Sequence, residues 1–230
     1  LPEGVWTDIH HYQEPAEFIA MFDEWDNVER TTGRGYFVGE YANTANDDGN
    51  TTYWSTVQGA VSEAVYMIGM ERNSDLVKMA SYAPMMEHFN YAEWSPDLIG
   101  LDSTPGSLTG SAFYYVQKLF SLARGNTILP VTSTLNFNPL LWVASSTTSG
   151  TYYMKLANYG TVNETVTVTI PEGVVADVAA LTVFTGSALA SNYPNDVTLQ
   201  PVSSTVTGSA TGGWTFVVPG YGIAILTVSP

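Results

Sequence analysis

Apolar positions recur with two different periods along this chain, and the change falls near Ile128. Before it, strand-like runs alternate with segments of helical spacing. "VWTDIHHY" (Val5 to Tyr12) reads as a strand. Pro15 then stands where a helix can start, with Phe18, Phe22 and Trp25 recurring on one face. "YFVGEYA" (Tyr36 to Ala42) is aromatic and β-branched until it delivers a single carboxylate, Glu40; such a run suits a strand covered on both faces. A polar turn through Asn43 to Asn50 leads to a second helix with Trp54, Val57, Val61, Ala64 and Ile68 as its apolar stripe. "LVKMASYA" (Leu76 to Ala83) is a third strand. After the long loop "MMEHFNYAEWSPDLIGLD", a third helix runs from about Ser111 to Arg124, with Phe113, Val116, Phe120 and Ala123 on one face and Gly125 as its stop. Strands alternating with helices predict a parallel sheet.

From Ile128 onward the pattern becomes short alternating strands separated by Gly, Pro and Asn. In "ETVTVTIPEG", Val166, Val168 and Ile170 share one face and Thr165, Thr167 and Thr169 the other. "TYYMKLANYG", "ALTVFTG", "DVTLQPV", "WTFVVPG" and "YGIAILTVS" continue it. The expected fold class is therefore α/β plus all-β, with residues 1–127 as β/α units and residues 128–230 as an antiparallel, jelly-roll-like β-sandwich. A closed (β/α)8 barrel takes about 250 residues, and three β/α units cannot close one. The other five are expected from another chain or from a preceding region. A start at Leu1 in place of Met is read in the same way, as a processed product or a piece of something longer.

Composition narrows the function classes. The 230 residues are 45% hydrophobic, enough for a sizeable core. A formal charge of −15 argues against nucleic acid and anionic membranes as partners. Only 13% of residues are charged, so the surface is expected to be neutral and hydroxyl-rich. There is no cysteine, hence no disulfide. Two N-glycosylation sequons begin at Asn50 and Asn163, which fits an extracellular, secreted protein. No apolar run reaches the roughly 18 to 20 residues needed to span a bilayer.

The chemistry-bearing residues gather at strand C-terminal ends, the face on which α/β barrels build their sites. The first strand ends in His10-His11-Tyr12, the second in Glu40 and the third in Ala83-Pro84. A period of two places His10 and Tyr12 on one face and His11 on the other, where it reads as structural. The plain reading of the same residues is a loop acid, a buried histidine and a core tyrosine. Asn90 and Trp94, in the loop after the third strand, read either as a polar contact and a stacking platform for a sugar ring or as local packing anchors. Asp47, Asp48, Glu87, Glu93, Asp97 and Asp102 match no EF-hand spacing, and His10, His11 and His88 make no zinc pattern. No metal and no cofactor are expected.

"DIHHY" followed by "P..F", then "FVGEYA", "ASYAP" with "EWSPDLIGLD", and "FYYVQKLFS..RG..ILPV" together resemble the C-terminal half of family-51 α-L-arabinofuranosidases of the fungal and plant type. The resemblance covers residues 5 to about 131 well and the sandwich more loosely. It implies that the β/α units are the last three of a barrel and that Glu40, at the end of strand seven, is the nucleophile of a retaining glycoside hydrolase. It further implies that Tyr12 hydrogen-bonds that nucleophile and that His10 supports the acid/base or the sugar. The family's acid/base Glu lies in an Asn-Glu pair that has no match here, so it is expected outside this chain. Bacterial members carry a Gln where this chain has Pro84, and that contact does not carry over. The implied substrate is a terminal α-L-arabinofuranosyl group of arabinoxylan, arabinan or their oligosaccharides. The implied partner is an N-terminal chain of the same precursor. Two alternatives stay open: a β-glucan- or xylan-active glycosidase of the same fold, and a non-catalytic carbohydrate-binding sandwich with an appended α/β segment.

Overall fold

The computed structural model describes residues 4–30, 33–170, 176–209 and 211–230. The chain opens with strand β1 (Thr7–Gln13), helix α1 (Pro15–Ala20), strand β2 (Tyr36–Asn43), helix α2 (Val57–Arg72) and strand β3 (Val77–Ala80). These strands form one parallel sheet in the order β1-β2-β3. Pro15 occupies the first turn of α1, where its missing N–H costs nothing. Spacing alone extends that helix to Trp25; instead it ends at Ala20 and tightens into a single 3-10 turn at Met21–Asp23. The tighter turn lays the Phe22 carbonyl against Gly69 of α2, where a Cβ would stand 2.5 Å from that oxygen.

Helix α2 is the centre of the molecule. Thr56 caps it by accepting from the Gly59 N–H, and it is buried on nearly every side, as a helix packed between two layers must be. One side meets α1 and the parallel sheet, and the other meets the second half of the chain. Three short strands, β4 (Met86–His88), β5 (Ile99–Leu101) and β6 (Thr109–Gly110), form a small separate sheet where a long loop was expected. Helix α3 (Ala112–Leu122) follows, capped by Ser111 accepting from the Tyr114 N–H.

The remaining strands are β7 (Thr127–Leu129), β8 (Leu140–Ser146), β9 (Tyr152–Asn158), β10 (Glu164–Val168), β11 (Val178–Thr185), β12 (Val202–Ser209), β13 (Gly213–Val218) and β14 (Gly222–Val228). They make one antiparallel sheet in the order β10-β13-β12-β11-β14-β9-β8-β7. It curls so that Trp214, Phe216 and Val218 of β13 pack on Leu140, Trp142, Leu156 and Leu226, which gives the layered core of a sandwich. In "ETVTVTIPEG" the alternation holds through Ile170, while Pro171, Glu172 and Gly173 lie outside the described residues. "DVTLQPV" is not a strand, apart from Val202. Asn192 takes the backbone groups a neighbouring strand would bond, donating to the Leu199 carbonyl at 2.8 Å and accepting from its N–H at 2.8 Å.

The outer face of the curled sheet packs on α2 and α3. Leu141, Val143, Ala157, Phe184, Ile223 and Ile225 join Val61, Val65, Phe113 and Phe120 in one continuous core. A buried ion pair crosses this seam, from Lys155 on β9 to Glu71 on α2, which also accepts from Ser145.

Candidate active site

The C-terminal halves of β1 and β2 lie side by side, and their register decides what they present. Thr7, Asp8 and Ile9 pair with Tyr36, Phe37 and Val38; the next pair is His10 with Glu40. Gly39 is thus an unpaired bulge residue on β2. Its carbonyl accepts from the Ser81 hydroxyl, and Ser81 N–H donates to the Val38 carbonyl at 2.9 Å, so the start of the next loop holds the bulge. Without the extra residue, Glu40 would turn to the buried side of the sheet, because side chains alternate along a strand. The bulge turns it to the side of Asp8, His10 and Tyr12.

These four side chains form a row. Tyr12 donates its hydroxyl to Glu40 Oε2 at 2.5 Å. His10 Nδ1 stands 3.3 Å from that same oxygen, and His10 Nε2 bonds Asp8 Oδ2 at 3.2 Å. All four are exposed to about half their area. Burial, followed by the bond to Glu40 and its negative charge, pushes the Tyr12 phenol up to about 12, so it remains a donor across the working range of proteins. A phenol donor on a carboxylate stabilises and orients the ionised form that a nucleophile requires.

The opposite face of the same strands is packed and holds the row in place. His11 Nδ1 lies 2.8 Å from the Tyr66 hydroxyl, and Tyr66 sits among Phe18, Trp25 and Tyr41. Burial lowers the His11 pKa and pushes Glu24, 3.9 Å from that ring, up to about 7. The ends of β1 and β2 are tied by Asn43, whose amide donates to the Gln13 carbonyl at 3.2 Å. The Asn43 N–H in turn donates to Glu63 Oε1 at 2.8 Å. Glu63 is fully buried, and its pKa is raised well above the ordinary carboxylate value by that burial.

The other sequence candidates lie apart from this row. Trp94 is 71% exposed. Asn90 is exposed in the turn after β4, and its backbone N–H donates to His88 Nδ1 at 3.3 Å. Among the described residues neither bonds to the Tyr12–Glu40 group. Asn50 is exposed, with its amide donating to Asp48 at 2.7 Å; Asn163 is exposed and accepts from the Gly220 N–H at 3.1 Å. Among the described residues no group of three or more His, Cys, Asp or Glu is arranged to hold a metal ion. Glu87 and Asp97 form a buried carboxyl pair, both raised by burial.

Sequence reasoning missed Asp8, Ser81 and the bulge. Asp8 was detectable, since the alternation that joins His10 to Tyr12 also reaches back to Asp8 in "TDIHHY". Ser81 and the bulge leave no local periodic signal.

A family model of the alpha-L-arabinofuranosidase C-terminal domain matches residues 23–221. The chain is 44% identical to a probable alpha-L-arabinofuranosidase A of Aspergillus niger, over 100% of this chain and 35% of that protein. It is 42% identical to a probable alpha-L-arabinofuranosidase A of Emericella nidulans, over 99% of this chain and 44% of that protein. It therefore spans less than half the length of the curated relatives it matches. Among solved structures, arabinose-bound MgGH51 α-L-arabinofuranosidase aligns with a TM-score of 0.89 and 34% identity, over 97% of this chain and 37% of that one. The arabinose complex of an alpha-L-arabinofuranosidase from Thermotoga maritima aligns with a TM-score of 0.75 at 13% identity, over 98% of this chain and 52% of that one, a likeness of fold alone. With the match across most of its length, this chain belongs to the α-L-arabinofuranosidase C-terminal domain family, as the C-terminal part of a family-51 glycoside hydrolase.

Proposed function

We infer that this chain is the nucleophile-bearing part of a secreted, retaining α-L-arabinofuranosidase that releases terminal arabinofuranosyl groups from arabinoxylan, arabinan or their oligosaccharides. The observation that carries this reading is the Tyr12 hydroxyl on Glu40 at 2.5 Å, at the C-terminal ends of adjacent parallel strands. Relatives named alpha-L-arabinofuranosidase A support the sugar.

In this reading Glu40 attacks the anomeric carbon, forming a C–O bond as the glycosidic C–O bond breaks. The departing oxygen takes a proton from a second carboxyl group, about 5 to 5.5 Å from Glu40 in retaining enzymes. Water then attacks the anomeric carbon of the resulting glycosyl ester and gives a proton to the second group, as the anomeric C–O bond to Glu40 breaks and Glu40 leaves as carboxylate. Tyr12 holds the Glu40 oxygen throughout, and His10 supports it. The chemistry needs no cofactor.

The second carboxyl group belongs to the part of the protein that precedes these residues. Residues 1–127 read as the last three β/α units of a (β/α)8 barrel and 128–230 as the sandwich. Among the described residues, β1 and β3 of the three-stranded sheet each keep one unpaired edge, which natural sheets cover or pair. The missing strands, whether in the same chain or in a second one cut from the same precursor, would pair those edges. Asn90 and Trp94 are the proposed sugar contacts. Asn50 and Asn163, both exposed, are the proposed glycosylation sites.

The test is Glu40→Gln in the full-length protein, assayed on an aryl α-L-arabinofuranoside with aryl β-xyloside and β-glucoside for comparison. Activity should fall by several orders of magnitude with the fold intact. Retention of more than about a tenth of wild-type turnover, a barrier change under about 1.4 kcal/mol, would remove Glu40 from the role.

A further inference from the structure

We propose that Asp8 is a positioning residue, which holds the His10 ring so that Nδ1 stays turned to the Glu40 carboxylate. This rests on the reading of Glu40 as nucleophile. Asp8, His10 and Tyr12 alternate along β1 and so project from one face. Asp8 lies on the side of His10 away from the strand ends, where barrel enzymes receive substrate. It therefore acts through His10 and not on the sugar.

Two independent observations support the assignment. The first is the pair of contacts made by the ring: Asp8 Oδ2 lies 3.2 Å from Nε2 and Glu40 Oε2 lies 3.3 Å from Nδ1. Both partners are carboxylates, which only accept when ionised, so Nδ1 must donate to Glu40 as Nε2 does to Asp8, and the ring that makes both contacts is the imidazolium. The bond to Asp8 places the proton on Nε2. It also selects one of the two ring orientations. A flip about the Cβ–Cγ bond would put the carbon Cδ2 where Nδ1 now faces Glu40, and would carry Nε2 away from Asp8. The groups facing the ring are thus Asp8 from its own strand and Glu40 from β2, with Tyr12 bonded to the same Glu40 oxygen.

The second observation is the space left for this pair. A Cβ on Gly39 would stand 2.2 Å from Asp8 Oδ1, 3.1 Å from Asp8 Cγ and 3.2 Å from His10 Nε2. The bulge residue lacks a side chain where the Asp8 carboxylate and the ring edge sit. The backbone feature that turns Glu40 to this face is the same one that makes room for Asp8.

The experiment is a double-mutant cycle in the full-length enzyme on an aryl α-L-arabinofuranoside. Asp8→Ala should lower kcat by about ten- to a hundredfold, the loss expected when a reacting group is slightly misplaced, with KM changed less than about threefold. Asp8→Asn keeps the shape and one acceptor oxygen, so it should lose less than Asp8→Ala. In a His10→Ala background, Asp8→Ala should add almost nothing, because the two residues act as a unit. Asp8 is 59% exposed, so its replacement leaves the core untouched. Wild-type kcat in Asp8→Ala, or its full loss repeated on top of His10→Ala, would overturn the proposal. A wild-type enzyme without arabinofuranosidase activity, or an active Glu40→Gln, would instead sink the hydrolase reading. The His10 ring-nitrogen NMR signals, identified by their loss in His10→Ala, should report a proton on Nε2 that is disturbed in both Asp8 variants. Signals unchanged by both replacements would overturn the orienting role whatever the activity.

Discussion

The Tyr12 hydroxyl and Glu40 Oε2 stand 2.5 Å apart, although the two residues are 28 positions apart in the chain. Hydrogen bonds to a charged group are worth about 1.5–3 kcal/mol. Tyr12→Phe should therefore reduce kcat roughly ten- to a hundredfold while thermal unfolding moves little, since Tyr12 is half exposed. A melting temperature lowered by many degrees with unchanged kinetics would make Tyr12 a packing residue.

Gly39→Ala should disturb activity by a different route. Its φ is not in the left-handed region, so the backbone tolerates a side chain; the obstacle is Asp8, whose Oδ1 would stand 2.2 Å from the new Cβ. The carboxylate has to rotate off His10. A kcat loss similar to that of Asp8→Ala, with stability within about 1 kcal/mol of wild type, is the expected pair of measurements. Full activity in Gly39→Ala would show that this crowding is harmless.

Glu63 makes stability fall with pH. Its folded pKa is raised by burial, so the native state keeps a proton that the unfolded chain releases above its value of about 4.5. Stability should decline from that pH upward, by at most about 1.4 kcal/mol per pH unit, until the folded pKa is passed. Glu63→Gln removes the titration and keeps an oxygen for the Asn43 N–H. Denaturation curves of the two proteins between pH 4.5 and 8 should diverge steadily, with the Gln variant gaining relative stability as pH rises. Parallel curves would mean that Glu63 ionises freely.

The seam between the two halves should respond asymmetrically to its two partners. Lys155 is 1% exposed and Glu71 19%. Glu71→Ala strands a buried ammonium, whose pKa burial already lowers, and should cost about 3–5 kcal/mol. Lys155→Met leaves Glu71 bonded to Ser145 and in reach of water, and its aliphatic chain fills the same space near Phe120. It should cost far less, by chemical denaturation of the full-length protein. Equal losses would point to a mutual charge contribution in place of a stranded charge.

Local spacing carried much of the architecture. Val57, Val61, Ala64 and Ile68, Ser111 before its helix, and Val166 and Val168 sit in the elements they predict, while Trp54 precedes α2 and Ile170 follows β10. Such signals are local, because the side-chain period of a helix or strand depends only on its own backbone. "DVTLQPV" and the end of α1 depart from their periodicity because side-chain and packing contacts decide them: the Asn192 amide, seven residues before Leu199, in one case and the distant Gly69 in the other.

The candidate site divides in the same way. That His10 and Tyr12 share a face, and His11 faces away, follows from the two-residue period of β1 alone. That Glu40 joins them does not follow. By strict alternation it would share the buried face with Val38, and only the unpaired Gly39, held through its carbonyl by Ser81, brings it opposite His10. The register of one strand against another is set by hydrogen bonds between residues far apart in sequence. The amino-acid order therefore determined which residues were available to the site, and the pairing of β1, β2 and the segment after β3 decided which way the carboxylate points.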